Sequence, residues 1–244
     1  LRLDILGFWG GTPEDGGATT GYLLRTPRGT LLIDCGSGIM SRLSTLIKFY
    51  EIDAVLLTHL HFDHIADYGI LQYGFNRALR NKWVEEPLYT LAPNKPDVMW
   101  KAIQANEAQL EVIEENFDYS LIGATVEFLS VSHTIPCYAI KVTYEGMIFV
   151  FSADTAYFEP LIDFAKDADL FLCEATNFEG SIHSTGTGHM SASEAGKLAQ
   201  KARVKTLILT HLPSDGNFSN MKDEAKAEFN GEVLMASDID SLTF

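Results

Sequence analysis

Three cysteines in 244 residues, Cys35, Cys137 and Cys173, stand far apart and never in CxxC spacing. So sparse and odd a count excludes a disulfide framework; it fits reduced thiols in a cytosolic setting, each acting as a small buried hydrophobe. No apolar run approaches the roughly 18 residues that span a bilayer, so no membrane partner is expected. The chain enters an apolar strand directly (Leu1, Leu3, Ile5), with no basic n-region and no cleavage site. No signal peptide is therefore expected, and the location reads as cytoplasmic. Basic residues are scarce: 18 Lys plus Arg face 33 Asp plus Glu, a formal charge of −15. A protein built to grip phosphate backbones shows the opposite balance, which disfavours nucleic acid as a partner. There is no Pro/Gly/Ser-rich linker and no low-complexity tract, so residues 1–244 read as one domain.

What is present is a well-stocked core. Apolar residues make up 46% of the chain and aromatics 11%, which excludes disorder as the main state. Short apolar, β-branched-rich runs read as buried strands at Thr30–Asp34, Ala54–Thr58, Met147–Ala153, Leu170–Ala175 and Thr206–Thr210. Helical patterns lie between them, at Ile39–Tyr50, Ile65–Arg80, Asp97–Glu115, Ala156–Ala165 and Ser191–Ala202. The last opens on Ser191-Ala-Ser-Glu194, a capping-box spacing that sets a helix start just after His189. Strands alternating with helices predict an α/β architecture.

Two buried strands end alike, in Thr58-His59-Leu60 and Thr210-His211-Leu212, and two others end in an aspartate, Asp34 and Asp154. This echo reads as a duplicated unit, although strand ends often carry polar residues by chance. Ligands of open α/β sheets sit outside the strand C-termini, where these groups collect.

The sharpest signal is Thr58-His59-Leu-His61-Phe-Asp63-His64, which holds three of the chain's seven histidines. His59 and His61, at i and i+2 on leaving a strand, project to one side and can share a cation. Asp63 and His64 follow as the chain turns into a helix and can face a second one. The plain alternative is a solvated His-rich turn. Alone, His133 or His211 would more often be a satisfied buried histidine, and Asp154 a helix cap.

HxHxDH after an apolar strand resembles the metallo-β-lactamase superfamily. The order of the later residues agrees over nearly the whole chain: His133 in SVSHTIPCYAI, Asp154 in FSADT and His211 in LILTHL. The resemblance implies a four-layered αββα sandwich and a site for two divalent metal ions. His59, His61 and His133 would hold one, and Asp63, His64 and His211 the other. Asp154 would bridge them, with a hydroxide between the cations as nucleophile, and Asp34 would orient ligands from behind. Imidazole and carboxylate donors suit zinc best, with manganese or iron open. The family also raises the possibility of a homodimer.

A finer resemblance lies in Leu172-Cys-Glu174-Ala-Thr176 and Gly188-His189-Met-Ser191-Ala-Ser-Glu194, which look like the ribonuclease Z branch. By that likeness His189 would protonate the leaving oxygen and Glu174 would hold its tautomer. Asp63, His189 and Glu174 then form the catalytic set, the alternative for His189 being a merely supporting or capping role. His183, in a His-Ser-Thr run, reads as an exposed loop residue because the capped helix follows His189. Ribonuclease Z inserts a long Gly/Pro-rich arm that grips tRNA between its third His and bridging Asp. Here some twenty residues that read as a plain hairpin separate His133 from Asp154, which disfavours tRNA as substrate.

Other branches fit less well. Flavodiiron proteins carry Glu where His61 stands, glyoxalase II adds a C-terminal helical region, and many β-lactamases carry Cys where Asp154 stands. Lactonases share the full ligand set. The expected activity is thus phosphodiester hydrolysis on a small or cyclic small-molecule substrate. A lactonase or other carboxylic ester hydrolase is the alternative, and a metal-binding module without turnover is the alternative of another class. The segment Tyr73 to Asp118, with Tyr73, Phe75, Arg77, Arg80 and Trp83 before an acidic helix (Glu107, Glu111, Glu114, Glu115), reads as a pocket wall, a dimer contact or ordinary surface. The Gly10-Gly11-Thr12-Pro13 and Gly16-Gly17 loop could cradle a phosphate.

Overall fold

The computed structural model describes residues 1–104, 108–178, 187–214, 218 and 220–244. The first half runs β1 (Arg2–Gly7), β2 (Trp9–Gly10), β3 (Gly21–Thr26), β4 (Gly29–Ile33), α1 (Ile39–Leu43), β5 (Ala54–Leu56), α2 (Phe62–Ile65), α3 (Tyr68–Arg80), β6 (Tyr89–Ala92), α4 (Asp97–Ile103) and β7 (Gln109–Val112). The second runs β8 (Tyr119–Leu121), β9 (Ala124–Ser130), β10 (Tyr138–Tyr144), β11 (Met147–Phe151), α5 (Pro160–Phe164), β12 (Leu170–Glu174), α6 (Ala192–Ala202), β13 (Thr206–Thr210), β14 (Leu212–Pro213), α7 (Met221–Glu228), β15 (Glu232–Met235) and β16 (Ser241–Thr243). No helix of the described residues is long and apolar enough to cross a membrane.

Two seven-stranded sheets, in the orders β16-β1-β3-β4-β5-β6-β7 and β15-β13-β12-β11-β10-β9-β8, form the middle of an αββα sandwich. In each sheet, antiparallel strands give way to parallel ones, at β4–β5 and at β11–β12. The unbroken apolar runs follow from burial on both faces. On β4, Leu31 and Ile33 enter the larger core, shared with Phe149 and Phe151 of the other sheet. Leu32 instead packs with Ile39, Leu43, Tyr68, Leu71 and Phe75 of the helices outside the first sheet. Across the sheet–sheet interface, the fully buried Tyr22 hydroxyl meets Thr210 Oγ1 at 2.7 Å. Removing that bond in a Tyr22→Phe variant is expected to cost about 1–3 kcal/mol. It would be read as a lower urea midpoint with an unchanged m-value.

The Ser191 capping box is formed, with Ser191 Oγ accepting from Glu194 N–H at 3.3 Å and Glu194 Oε2 accepting from Ser191 N–H at 2.9 Å. The helix expected over Asp97–Glu115 is not. It ends at Ile103, and Gln109–Val112 pairs in parallel with β6, Leu91 opposite Glu111. The edge of the sheet captures a segment whose local pattern suited a helix. Glu111 accepts from the Tyr89 hydroxyl and Glu115 from Ser130 N–H, while Glu107 lies outside the described residues. The expected helix Ile39–Tyr50 likewise stops at Leu43, and that over Ala156–Ala165 begins only at Pro160, so Asp154 caps no helix.

The gross duplication is visible in the sheets, but the Thr-His-Leu echo is out of step with it. The strand leading to His59 lies beside the one leading to Asp34, whereas β12 separates the strands leading to His211 and Asp154.

Candidate metal centre

Strands of both sheets deliver their C-terminal ends to one place. Beyond β5 come His59 and His61, then Asp63 and His64 on the short turn of α2. Beyond β9, β11 and β13 come His133, Asp154 and His211. Ligand atoms of His59, His61 and His133 form one cluster, and those of Asp63, His64, Asp154 and His211 a second. In the first, His61 Nδ1 lies 3.0 Å from His59 Nε2 and 3.1 Å from His133 Nε2. In the second, His211 Nε2 lies 3.3 Å from His64 Nε2 and 3.2 Å from Asp63 Oδ2. Asp154 Oδ2 faces both: it is 3.2, 3.3, 3.6 and 4.0 Å from Nε2 of His211, His64, His59 and His133.

The far side of each ring determines what these nitrogens can do. His64 Nδ1 donates to Asp34 Oδ2 at 2.8 Å. The Thr58 hydroxyl donates to the same oxygen, which leaves its lone pair to accept from His59 Nδ1 at 3.1 Å. The Thr176 hydroxyl donates to the His211 carbonyl and accepts from His211 Nδ1 at 2.7 Å. His133 Nδ1 donates to the Gly188 carbonyl at 2.9 Å. Four histidines thus carry their proton on Nδ1 and turn the Nε2 lone pair inward. Gly188 sits at φ 76°, and a Cβ there would stand 2.7 Å from His133 Nδ1, so that approach requires glycine.

Lone pairs aimed at one another at these distances repel unless a positive charge lies among them. A further observation fits a cation. Asp154 Oδ1 is buried without a hydrogen-bond partner, the condition that a metal relieves. Burial pushes His64 toward its neutral form, yet Asp154 and Asp34 hold its pKa well above the usual histidine range. In His59 burial wins, seconded by repulsion from His64, and the pKa lies well below that range. Burial opposes ionisation of Asp63, but its bond to His211 and the charge of His64 keep its carboxyl below the ordinary range.

His189 completes the site on its open side. Its ring packs edge-on to His133 at 5.1 Å and stacks on His211 at 5.3 Å. Its Nδ1 donates to Glu174 Oε1 at 2.9 Å. Burial disfavours the imidazolium, but the Glu174 carboxylate outweighs it and raises the pKa to about 9.

The chain matches the beta-lactamase superfamily domain over residues 30–212. It belongs to the metallo-β-lactamase superfamily. The probable metallo-hydrolase YhfI of Bacillus subtilis is 36% identical over 240 residues, covering 97% of each chain. A crystal structure of YhfI superimposes with a TM-score of 0.91 at 32% identity, over 96% of this chain and 95% of that one. The short form of human tRNase Z shares the fold, with a TM-score of 0.78 at 20% identity, over 100% of this chain and 99% of the other. Ribonuclease Z of Haloarcula marismortui is 27% identical over 300 residues, covering 98% of this chain and 95% of the relative. With two clusters of metal-capable side chains meeting at Asp154, this member has the active-site architecture of a dinuclear metal-dependent hydrolase.

Every residue named from the sequence for the centre is in or against it: His59, His61, Asp63, His64, His133, Asp154, His211, His189, Glu174 and, behind His64, Asp34. Thr58, Thr176 and the Gly188 carbonyl were not anticipated. Thr58 was legible only as half of a repeated Thr-His pair, and a backbone carbonyl leaves no mark in sequence. The glycine loop is occupied differently from expectation: Gly11 N–H donates to Asp63 Oδ2 at 2.9 Å rather than standing free for a phosphate. In the 73–118 segment Phe75 is buried, Tyr73 is exposed, and Arg77 lies over the Trp83 ring at 5.5 Å. His183 lies outside the described residues.

Asp34 accepts from Thr58 N–H, the Thr58 hydroxyl and His64 Nδ1. Asparagine offers one acceptor oxygen in place of two and turns an amide N–H toward a donor. An Asp34→Asn variant is therefore expected to bind metal about 10–100-fold more weakly, measured by competition with a chromophoric chelator.

Proposed function

We propose that the protein is a phosphodiesterase acting on a small or cyclic phosphodiester, a ribonuclease Z-like hydrolase whose residues 1–244 work as one domain. In this assignment His59, His61 and His133 hold one cation, Asp63, His64 and His211 a second, and Asp154 lies between them. Zinc is the metal best matched to these donors, with manganese and iron compatible. Two cations so held would supply Lewis acidity and an activated water.

The observation that carries the assignment is the Glu174–His189 pair beside both clusters. An ester whose leaving oxygen is a poor anion needs a proton delivered to it. His189 is oriented by Glu174, whose carboxylate favours the imidazolium form, and lies on the open side of the centre. His61, Asp63 and His189 are half-buried where His59, His64 and Asp154 are buried, so that side is the way in.

The absence of a nucleic-acid arm supports a small substrate. The segment between His133 and Asp154 is the hairpin of β10 and β11, turning through Glu145 and Gly146. The 300-position alignment with the Haloarcula ribonuclease Z uses 98% of a 244-residue chain, so roughly sixty of its positions lack a counterpart here. The net charge of −15 points the same way.

The test is hydrolysis of an aryl phosphodiester and of a simple lactone by protein loaded separately with zinc and manganese. Saturable turnover of the phosphodiester at two-metal occupancy is expected. Turnover of the lactone alone would move the assignment to carboxylic ester chemistry, and turnover of neither would favour a non-catalytic module.

A further inference from the structure

In the second sheet β12 runs between β11 and β13, in parallel with both, and Glu174 is its last residue, opposite Thr210. Its side chain is therefore delivered between the strand end that leads to Asp154 and the one that leads to His211. It is fully buried, and its two oxygens accept from three donors. Oε1 accepts from Thr155 N–H at 2.7 Å and from His189 Nδ1 at 2.9 Å, and Oε2 from Thr176 N–H at 3.2 Å.

Two of those donors have nothing to do with His189. Thr155 follows Asp154 directly, and the bend that aims Asp154 into the centre passes through Ala153 at φ 52°, left-handed backbone that is unfavourable for a residue with a Cβ. Something must hold that bend. On one side the Ser152 hydroxyl donates to the Ala153 carbonyl and accepts from Glu174 N–H; on the other Glu174 Oε1 takes Thr155 N–H. Thr155 in turn uses its hydroxyl to accept from Ser132 N–H, next to His133. Thr176, the third donor, carries the hydroxyl that grips both Nδ1 and the carbonyl of His211.

We propose that Glu174 is a positioning residue for the metal centre itself: through Thr155 and Thr176 it sets Asp154 and His211, in addition to orienting His189. This rests on the dinuclear reading given above. It predicts that loss of Glu174 loosens metal binding although both of its oxygens are already taken by three donors, whereas loss of His189 does not.

The measurement is binding of Zn²⁺ and Mn²⁺ to wild-type, Glu174→Gln, Glu174→Ala, Thr176→Val and His189→Ala proteins. Stoichiometry comes from elemental analysis, affinity from chelator competition, and ligand geometry from the visible spectrum of the Co²⁺ forms. Glutamine at 174 offers one acceptor oxygen for three donors and sets an amide N–H against one of them. Both Glu174 variants and Thr176→Val are expected to bind the weaker of the two cations about 10–100-fold less tightly, with an altered Co²⁺ spectrum. His189→Ala is expected to match the wild type in affinity. If Glu174→Ala fails to fold, the near-isosteric Glu174→Gln and Thr176→Val carry the test. Glu174 variants that bind two cations as the wild type does, or a His189→Ala variant that loses affinity to the same degree, overturn this proposal alone. A wild type that binds a single cation overturns the dinuclear reading and this proposal with it.

Discussion

An Asp154→Ala variant is expected to lose hydrolysis and metal together. Asp154 Oδ2 lies within 4.0 Å of four imidazole nitrogens, two from each cluster, and Oδ1 is buried without a donor. Taking it away leaves inward-facing Nε2 lone pairs with less negative charge to hold cations among them. Those cations supply several kcal/mol of charge stabilisation, so kcat/KM should fall by on the order of 10³-fold or more. Elemental analysis of the purified variant should find fewer than two metals per chain. Asp154→Asn separates charge from shape, since it keeps the volume and loses the anion, and it should behave like the alanine variant. Full activity with two metals bound in either protein would exclude the bridging role. Chelation of the wild type should abolish turnover in the same way, and zinc or manganese should restore it.

His189→Ala is expected to act in the opposite manner, retaining both metals and losing rate in proportion to how badly the leaving group needs a proton. General acid catalysis contributes about 10²–10⁴-fold, so kcat on an alkyl leaving group should fall within that range. On a nitrophenyl leaving group, stable as an anion, the loss should be small. The contrast between the two substrates distinguishes proton donation from ring packing, because His189 also stacks on His211 and any disturbance of that contact would slow both alike. Equal losses on the two substrates would remove the acid role and leave His189 as a group that shapes the pocket.

How far the centre could be read in advance differs from residue to residue. His59, His61, Asp63 and His64 are close in the chain, and a strand turning into a helix presents them in a fixed sense, so local geometry is sufficient to join them. His133, Asp154 and His211 were joined to them through family likeness and order, since no local pattern distinguishes such a histidine from an ordinary core residue. The Ser191–Glu194 box was legible because both partners lie within one helical turn. The segment Asp97–Glu115 departs from its local helical pattern for the complementary reason. Whether Gln109–Val112 extends a helix or joins a sheet depends on β6 offering an open edge, and β6 is not encoded within that segment.

The sequence by itself determined the alternation of strands and helices and a cluster of metal-capable residue types, which follow from unbroken apolar strands and an HxHxDH turn; the four-layered sandwich was implied by family likeness. Tertiary structure alone decided which ring nitrogen faces inward. That choice depends on acceptors brought from elsewhere: Asp34 to His64, Thr58 by way of Asp34 to His59, Thr176 to His211 and the Gly188 carbonyl to His133. It also decided that Glu174, at the end of the strand between two ligand-bearing strands, holds three donors at once. Hydrogen bonds reach about 3 Å, and packing the two sheets together brings Tyr22 and Thr210, 188 residues apart, within that distance.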